Sequence, residues 1–346
     1  MIKLHTNVNF LTEVHRKEVF PLLFDMHFLK SEIVLKYYEL VEEVSECDVV
    51  VFPIDYASFL KHRSEFLALQ DEAKREGKTI WIYSAGDYGF TNYIKNGVTF
   101  RLGGFNDGLS DSTYIMPSFV NDPYKTQLPQ GFSALGKEKK PSIGFVGHAQ
   151  SGISKYMKEL SSHLKTQVKR KLNKLVADAQ PFYPSSIKRA KYLMKLGLSE
   201  QLNTNFVLRE SYRAGAQTEV DKQKTTQEFY DNIYDNAYTF CSRGVGNFSV
   251  RFYETLAVGR IPILLNTNCR LPLPDIIDWK RHCVIVEESK KESLEEQILA
   301  FHNSKTEVEF ETLQKQNREL WENHLTRHAF FMGVYDAFIK QKRKND

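Results

Sequence analysis

Two short, almost wholly apolar runs flank an amphipathic stretch in the first third of this chain, and that pattern leaves few folds open. Asp48-Val49-Val50-Val51-Phe52-Pro53 is β-branched and apolar throughout, as a strand covered on both faces must be. Residues 56–76 place Phe59, Phe66, Leu67 and Leu69 at helical spacing, end in Lys74-Arg75-Glu76 and meet Gly77 as a stop. Thr79-Ile80-Trp81-Ile82-Tyr83-Ser84 is the second apolar run. Strand, helix and strand in that order predict a parallel sheet with a right-handed crossover.

A second series of the same kind begins after residues 122–140, where prolines, glycines and lysines give a linker composition. Pro141-Ser142-Ile143-Gly144-Phe145-Val146-Gly147 reads as a strand entering a glycine turn. Further strands are expected at 205–208, 236–241, 260–265 and 283–286. Helical, charged sequence fills 155–198, and 289–301 and 308–340 read as helices. With 346 residues, 42% of them hydrophobic, the chain can fill two ordinary cores. The expectation is therefore α/β: a Rossmann-like domain over 1–135, a second over 141–319, and a C-terminal helix at 320–346 packing back on the first. Open parallel sheets bind ligands beyond the carboxyl ends of their strands, so the site is expected in the cleft between the domains.

Charge narrows the functions. Lys plus Arg number 47 against 43 Asp plus Glu, a formal +4 that is too slight for a nucleic-acid binder. The excess is local: Lys165, Lys169, Arg170, Lys171 and Lys174, then Lys188, Arg189, Lys191 and Lys195. This 165–195 region is either a solvated helix face or a basic patch for anionic sugars, phosphates or peripheral contact with a lipid surface. Cys47, Cys241, Cys269 and Cys283 lack the short paired spacings of zinc or redox motifs, so free thiols and a reducing compartment are expected. Met1-Ile2-Lys3-Leu4-His5 opens without the apolar stretch of a signal peptide, and a cytoplasmic location follows as the expectation.

The chemistry concentrates between residues 241 and 262. Cys241-Ser242-Arg243-Gly244-Val245-Gly246-Asn247-Phe248-Ser249-Val250-Arg251-Phe252-Tyr253-Glu254 leads through Gly259 into Arg260-Ile261-Pro262: strand, glycine loop, helix, glycine stop, strand. Gly244 and Gly246 let the backbone approach a bulky anion, and Asn247 or Ser249 can cap a helix whose free N–H groups attract phosphate. Arg243 and Arg251 supply planar, permanently charged forks for phosphate oxygens. Glu254, three residues beyond Arg251, is suited to ribose hydroxyls rather than to phosphate. Each element also has an ordinary explanation, since Arg251 and Glu254 could be an i,i+3 surface pair and glycines commonly bound helices.

As an ordered set, Ser242-Arg243-Gly244, Asn247 through Glu254, Gly259-Arg260-Ile261-Pro262, Leu271-Pro272 and Ile277-Asp278-Trp279 resemble the exostosin-type glycosyltransferases, especially their compact bacterial members. The resemblance covers about 60 residues well and weakens back to residue 141. It implies a GT-B architecture, a nucleoside-diphosphate sugar donor on the C-terminal domain, and transfer to a glycan or lipid-linked acceptor with inversion. A surface-polysaccharide or capsule role follows from the resemblance alone. The lack of a Golgi anchor departs from the animal members and argues against a heparan-type acceptor.

Other candidates follow from position. Asn266 and Thr267 end the 261–265 run, Arg209 follows 205–208, and His148 follows Gly147, each at the carboxyl end of an expected strand. Arg209 reads equally as a donor ligand or as half of a salt bridge, and His148 as a ligand or a polar turn residue. An inverting transfer needs a base to take the acceptor proton. Asp87, in Ser84-Ala85-Gly86-Asp87-Tyr88-Gly89 after the 79–83 run, is the first candidate and Asp55 the second, although a turn aspartate that satisfies its own backbone looks the same. No Asp-X-Asp pair occurs, so neither a metal nor any other cofactor is indicated. A nucleotide-sugar epimerase or hydrolase, and a non-catalytic sugar-binding protein, are the competing readings.

Overall fold

The structure is a computed structural model that describes residues 1–210 and 215–345. It contains two fully parallel sheets. The first is six-stranded in the order β2-β1-β3-β4-β5-β6, with β1 Ile2–His5, β2 Tyr38–Leu40, β3 Val49–Val51, β4 Thr79–Ser84, β5 Gly97–Arg101 and β6 Thr113–Ile115. The second is five-stranded in the order β11-β10-β9-β7-β8, with β7 Ser142–His148, β8 Asn203–Arg209, β9 Tyr238–Cys241, β10 Ile261–Asn266 and β11 Val284–Glu287. Both are doubly wound. Strand order reverses between β1 and β3 in one and between β7 and β9 in the other, and at such switch points the loops diverge and leave a crevice.

The apolar runs of the sequence became the central strands. Val49, Val50 and Val51 are wholly buried, and β7, β9 and β10 are buried along most of their length. The strands β1, β2, β5 and β6 carry no such run and are completed by their neighbours: Ile2, Lys3 and Leu4 pair with Tyr38, Glu39 and Leu40. Two expected helices are interrupted. The 56–76 segment divides into Tyr56–Phe59 and Arg63–Arg75, the first capped by Asp55, whose Oδ2 accepts from the Ser58 amide at 3.2 Å. The 308–340 segment becomes Glu307–Leu320, a π-helical turn Trp321–Leu325, and Arg327–Asn345, beginning at a capping box formed by Thr306 and Glu309.

The last helix lies on the first sheet, where Phe330, Phe331 and Val334 join Ile2, Leu4 and Trp81 in one core and the Tyr38 hydroxyl donates to the Phe331 carbonyl at 2.6 Å. That core continues into the second lobe through Phe252, Tyr253, Leu256, Trp279 and Trp321. The lobes are thus joined by apolar packing as well as by the linker. Polar straps add to it. Arg101, buried at the end of β5, pairs with Asp178 at 2.7 Å, and the Asp178 amide donates to the Gly89 carbonyl at 2.9 Å. In a second strap the Arg270 side chain donates to the Ser110 and Leu109 carbonyls at 2.8 and 2.9 Å. Among the described residues no helix is long and apolar enough to cross a membrane.

Candidate active site

The carboxyl ends of β7 and β9, flanking the switch point of the second sheet, hold a cluster of guanidinium groups. Arg251, the second residue of the helix Val250–Val258, reaches back beneath β7: Nη2 donates to the Val146 carbonyl at 2.7 Å and the group lies 4.1 Å from the Phe145 ring centre. Arg243, just past β9, donates to the Val245 carbonyl at 2.7 Å and lies between the Tyr183 ring at 4.7 Å and the Phe105 ring at 5.1 Å. Phe105 belongs to the first lobe, so Arg243 sits where the lobes meet. Arg189 joins the cluster from the helix Ser185–Gly197. Its nitrogens donate to the Ser242 hydroxyl at 3.0 Å, the His148 carbonyl at 2.7 Å and the Arg243 carbonyl at 3.1 Å.

These cations are held at a cost. Among the described residues neither Arg189 nor Arg243 has a carboxylate at ion-pair distance. Burial lowers the basicity of all three groups, and Arg189, repelled also by Arg251, is pulled down to about 10. The Nε atoms of Arg243 and Arg251 are buried without a hydrogen-bond partner. A buried donor left unmade costs about 1–3 kcal/mol, and such a group calls for an explanation. Arg260, one strand away, shows the contrast: its guanidinium donates to the Tyr234 and Ser133 carbonyls and to Gln314 Oε1, and its Nε is satisfied. Arg260 organises the linker, whereas Arg243 and Arg251 each keep an Nε donor in reserve and Arg189, though its nitrogens are bonded, adds a positive charge with no carboxylate at ion-pair distance among the described residues. An anion of high charge density is what such a cluster can bind.

The rest of the segment divides between the cluster and the joint between the lobes. Ser249 occupies the extended N-cap position of the Val250–Val258 helix and makes no side-chain cap bond, so the first turn presents amides to the same region. Glu254 lies half-buried one turn on and acts electrostatically on Arg251. Gly244 faces open space. Gly246 instead touches the first lobe: a Cβ there would fall 2.0 Å from the Asp87 carbonyl oxygen. Asn247 is buried and spent on the joint, donating to the Gly104, Thr267 and Asn268 carbonyls at 3.1, 3.0 and 3.3 Å, while Thr267 donates back to Asn247 Oδ1. Asn266 accepts from the Cys269 amide at 3.2 Å. The structure thus places Asn247, Asn266 and Thr267 in interlobe and turn bonds.

Arg209 ends β8 in an ion pair with Glu228 and a bond to the Thr225 carbonyl at 3.1 Å. The His148 ring meets the Arg209 carbonyl at 3.1 Å, and desolvation, followed by the charge of Lys155, lowers its pKa below the usual histidine range. In the first lobe, Asp55 accepts from the Ala85 amide at 2.7 Å as well as from Ser58, which ties the ends of β3 and β4 together. Asp87 is exposed on the following loop, facing the second lobe through its backbone. Arg189 was legible only as one of several basic residues in a charged stretch, because nothing in its local sequence marks which of them turns inward. Gln180 and Tyr183, which border Arg243, carry no sequence signal at all.

Two doubly wound parallel sheets, one in each lobe and packed through a shared core, define the class: an α/β protein of GT-B architecture. Residues 153–300 match the family model described as the Exostosin GT47 domain. Over 113 residues the chain is 27% identical to the probable glycosyltransferase At5g25310 of Arabidopsis thaliana, a match covering 30% of this chain and 24% of the plant protein. Over 120 residues it is 31% identical to exostosin-1 of Bos taurus, covering 33% of this chain and 14% of the bovine protein. The match therefore spans less than a quarter of either relative. Among solved structures, the GtfA/B complex aligns over 93% of this chain and 60% of that one at TM-score 0.37 and 11% identity. An α1,3-fucosyltransferase aligns over 92% of this chain and 82% of that one at TM-score 0.36 and 10% identity.

Proposed function

We propose that this protein is a glycosyltransferase that moves a sugar from a nucleoside-diphosphate donor to a glycan or lipid-linked acceptor with inversion, in surface-polysaccharide or capsule assembly. The observation that carries the reading is the cluster of buried Arg243 with half-buried Arg189 and Arg251 at the switch point of the exostosin-like lobe. In it the guanidinium forks and the first turn of the Val250–Val258 helix take the diphosphate, and Glu254 takes the ribose hydroxyls. As the bond from the anomeric carbon to the diphosphate breaks, charge grows on the leaving oxygen, and fixed cations in a partly dry site stabilise that charge without reorganising. The role of countercharge falls to side chains, with no metal assigned. A carboxylate of the first lobe removes the acceptor proton. Asp87 suits this better than Asp55, both of whose oxygens already accept backbone amides. Four free cysteines fit a cytoplasmic setting.

Calorimetric titration with UDP, GDP and inorganic pyrophosphate tests the site. Arg251→Ala should weaken all diphosphates about tenfold or more, the loss of one charge-assisted fork. Glu254→Ala should weaken nucleoside diphosphates more than pyrophosphate. Undiminished binding by both variants would refute the assignment. Asp87→Asn should leave donor affinity intact while transfer drops by roughly two decades, and turnover of donor with no acceptor present would favour a hydrolase or epimerase instead.

A further inference from the structure

The helix Ile153–Lys171 is oriented inside out. A surface helix normally buries its apolar stripe and wets its polar one, yet no residue of this helix is buried and its polar side faces the protein. Glu159 accepts from the Ser186 amide at 3.2 Å, Gln167 donates to the Gln180 carbonyl at 3.1 Å, and His163 packs on the Phe182 ring at 5.4 Å. The apolar residues point outward: Ile153, Met157, Leu164, Val168 and, just past the end, Leu172 are 54–84% exposed. Their spacing of mostly four residues stacks them into one stripe, and Met157, Leu164, Val168 and Leu172 line a shallow groove of about 570 Å³.

Charge borders the stripe. Lys158, Lys165 and Lys169 form a row along one edge, and Lys171 and Lys174 close its far end. Residues 153–174 hold seven Lys and Arg against one acidic residue, Glu159. Two copies laid stripe to stripe would bring these like charges together, and a polyanion without an apolar phase would leave the stripe in water. An anionic bilayer surface meets both demands, with the apolar side chains entering the acyl boundary while the lysines reach the headgroups.

We propose that the helix Ile153–Lys171 is a membrane-docking element that lies in the plane of an anionic lipid surface. The inference does not depend on the glycosyltransferase reading. It gives the docked chain a defined pose, because the segment after this helix carries Gln180 and Tyr183 to Arg243 and so fixes the guanidinium cluster relative to the membrane.

Co-sedimentation of the full chain with vesicles tests the proposal, comparing pure phosphatidylcholine with vesicles containing about a third phosphatidylglycerol. The chain should pellet with the anionic vesicles, weakly with the neutral ones, and less as salt rises. Leu164→Glu/Val168→Glu, at exposed positions and with an unchanged Tm, should lower the partition coefficient about tenfold or more. Lys165→Glu/Lys169→Glu should remove the preference for anionic lipid. Failure to pellet, or pelleting indifferent to both variants, overturns the proposal. So does a dimer in sedimentation velocity that Leu164→Glu/Val168→Glu dissolves, since the stripe would then belong to a second copy.

Discussion

Gly246 shows how one residue can satisfy a motif and serve another purpose. The loop from Ser242 to Ser249 has the form of a phosphate loop, and Gly244 is open as that form requires, but Gly246 rests on the Asp87 carbonyl of the other lobe. Gly246→Ala should therefore force the lobes apart, lowering stability by about 1–3 kcal/mol as overpacking does, whereas Gly244→Ala should leave it nearly unchanged. Thermal unfolding compares the two, and equal shifts would contradict the contact. Arg243 and Arg251 were readable as cations in the right segment. Their unsatisfied Nε atoms, and the arrival of Arg189 from a distant helix, were not, because a hydrogen-bond deficit exists only once neighbours are in place.

At the scale of elements, the sequence announced a strand wherever both faces are buried. β3, β4, β7, β9, β10 and β11 lie within continuous apolar runs. The short outer strands of the first sheet depend on pairing, and three residues of alternating character carry too little pattern to be seen alone. Helix ends carry their own chemistry. His302, in the last turn of Leu294–Asn303, is buried, with Nε2 donating to the Glu138 carbonyl at 2.9 Å and Nδ1 accepting from the Tyr238 hydroxyl at 3.0 Å. A helix terminus favours the imidazolium, yet desolvation dominates and lowers its pKa, as it does for His282 and His324. Because the folded values lie below the unfolded one of about 6.5, the unfolded chain takes up protons first as pH falls, and stability is lost on acidification. Tm should drop between about pH 7.5 and 5.5, and His302→Gln should flatten that slope. A slope unchanged in the variant would remove His302 from the account.

At the scale of the whole molecule, one apolar core spans both lobes through Phe252, Tyr253 and Trp321, beside a second core confined to the C-terminal lobe, and Arg101 and Asp178 strap the lobes together. Calorimetry should record a single cooperative transition rather than one for each lobe. Asp178→Ala should destabilise that whole transition by about 3 kcal/mol, the lower end for stranding a buried guanidinium, because Asp178 keeps part of its surface in water. Two resolved transitions, with only one shifted, would mean that the lobes fold independently. By itself the sequence determined the two parallel sheets, their order along the chain and the segment holding the exostosin-like signature, since apolar runs, helical periodicity and glycine stops act over a few residues and survive without tertiary context. Only the tertiary structure decided which arginines keep charge in reserve, which polar residues join the lobes and which face of the Ile153–Lys171 helix meets water. Those properties belong to pairs of groups brought together from distant parts of the chain, and a pairwise desolvation or hydrogen bond has no local signature to read.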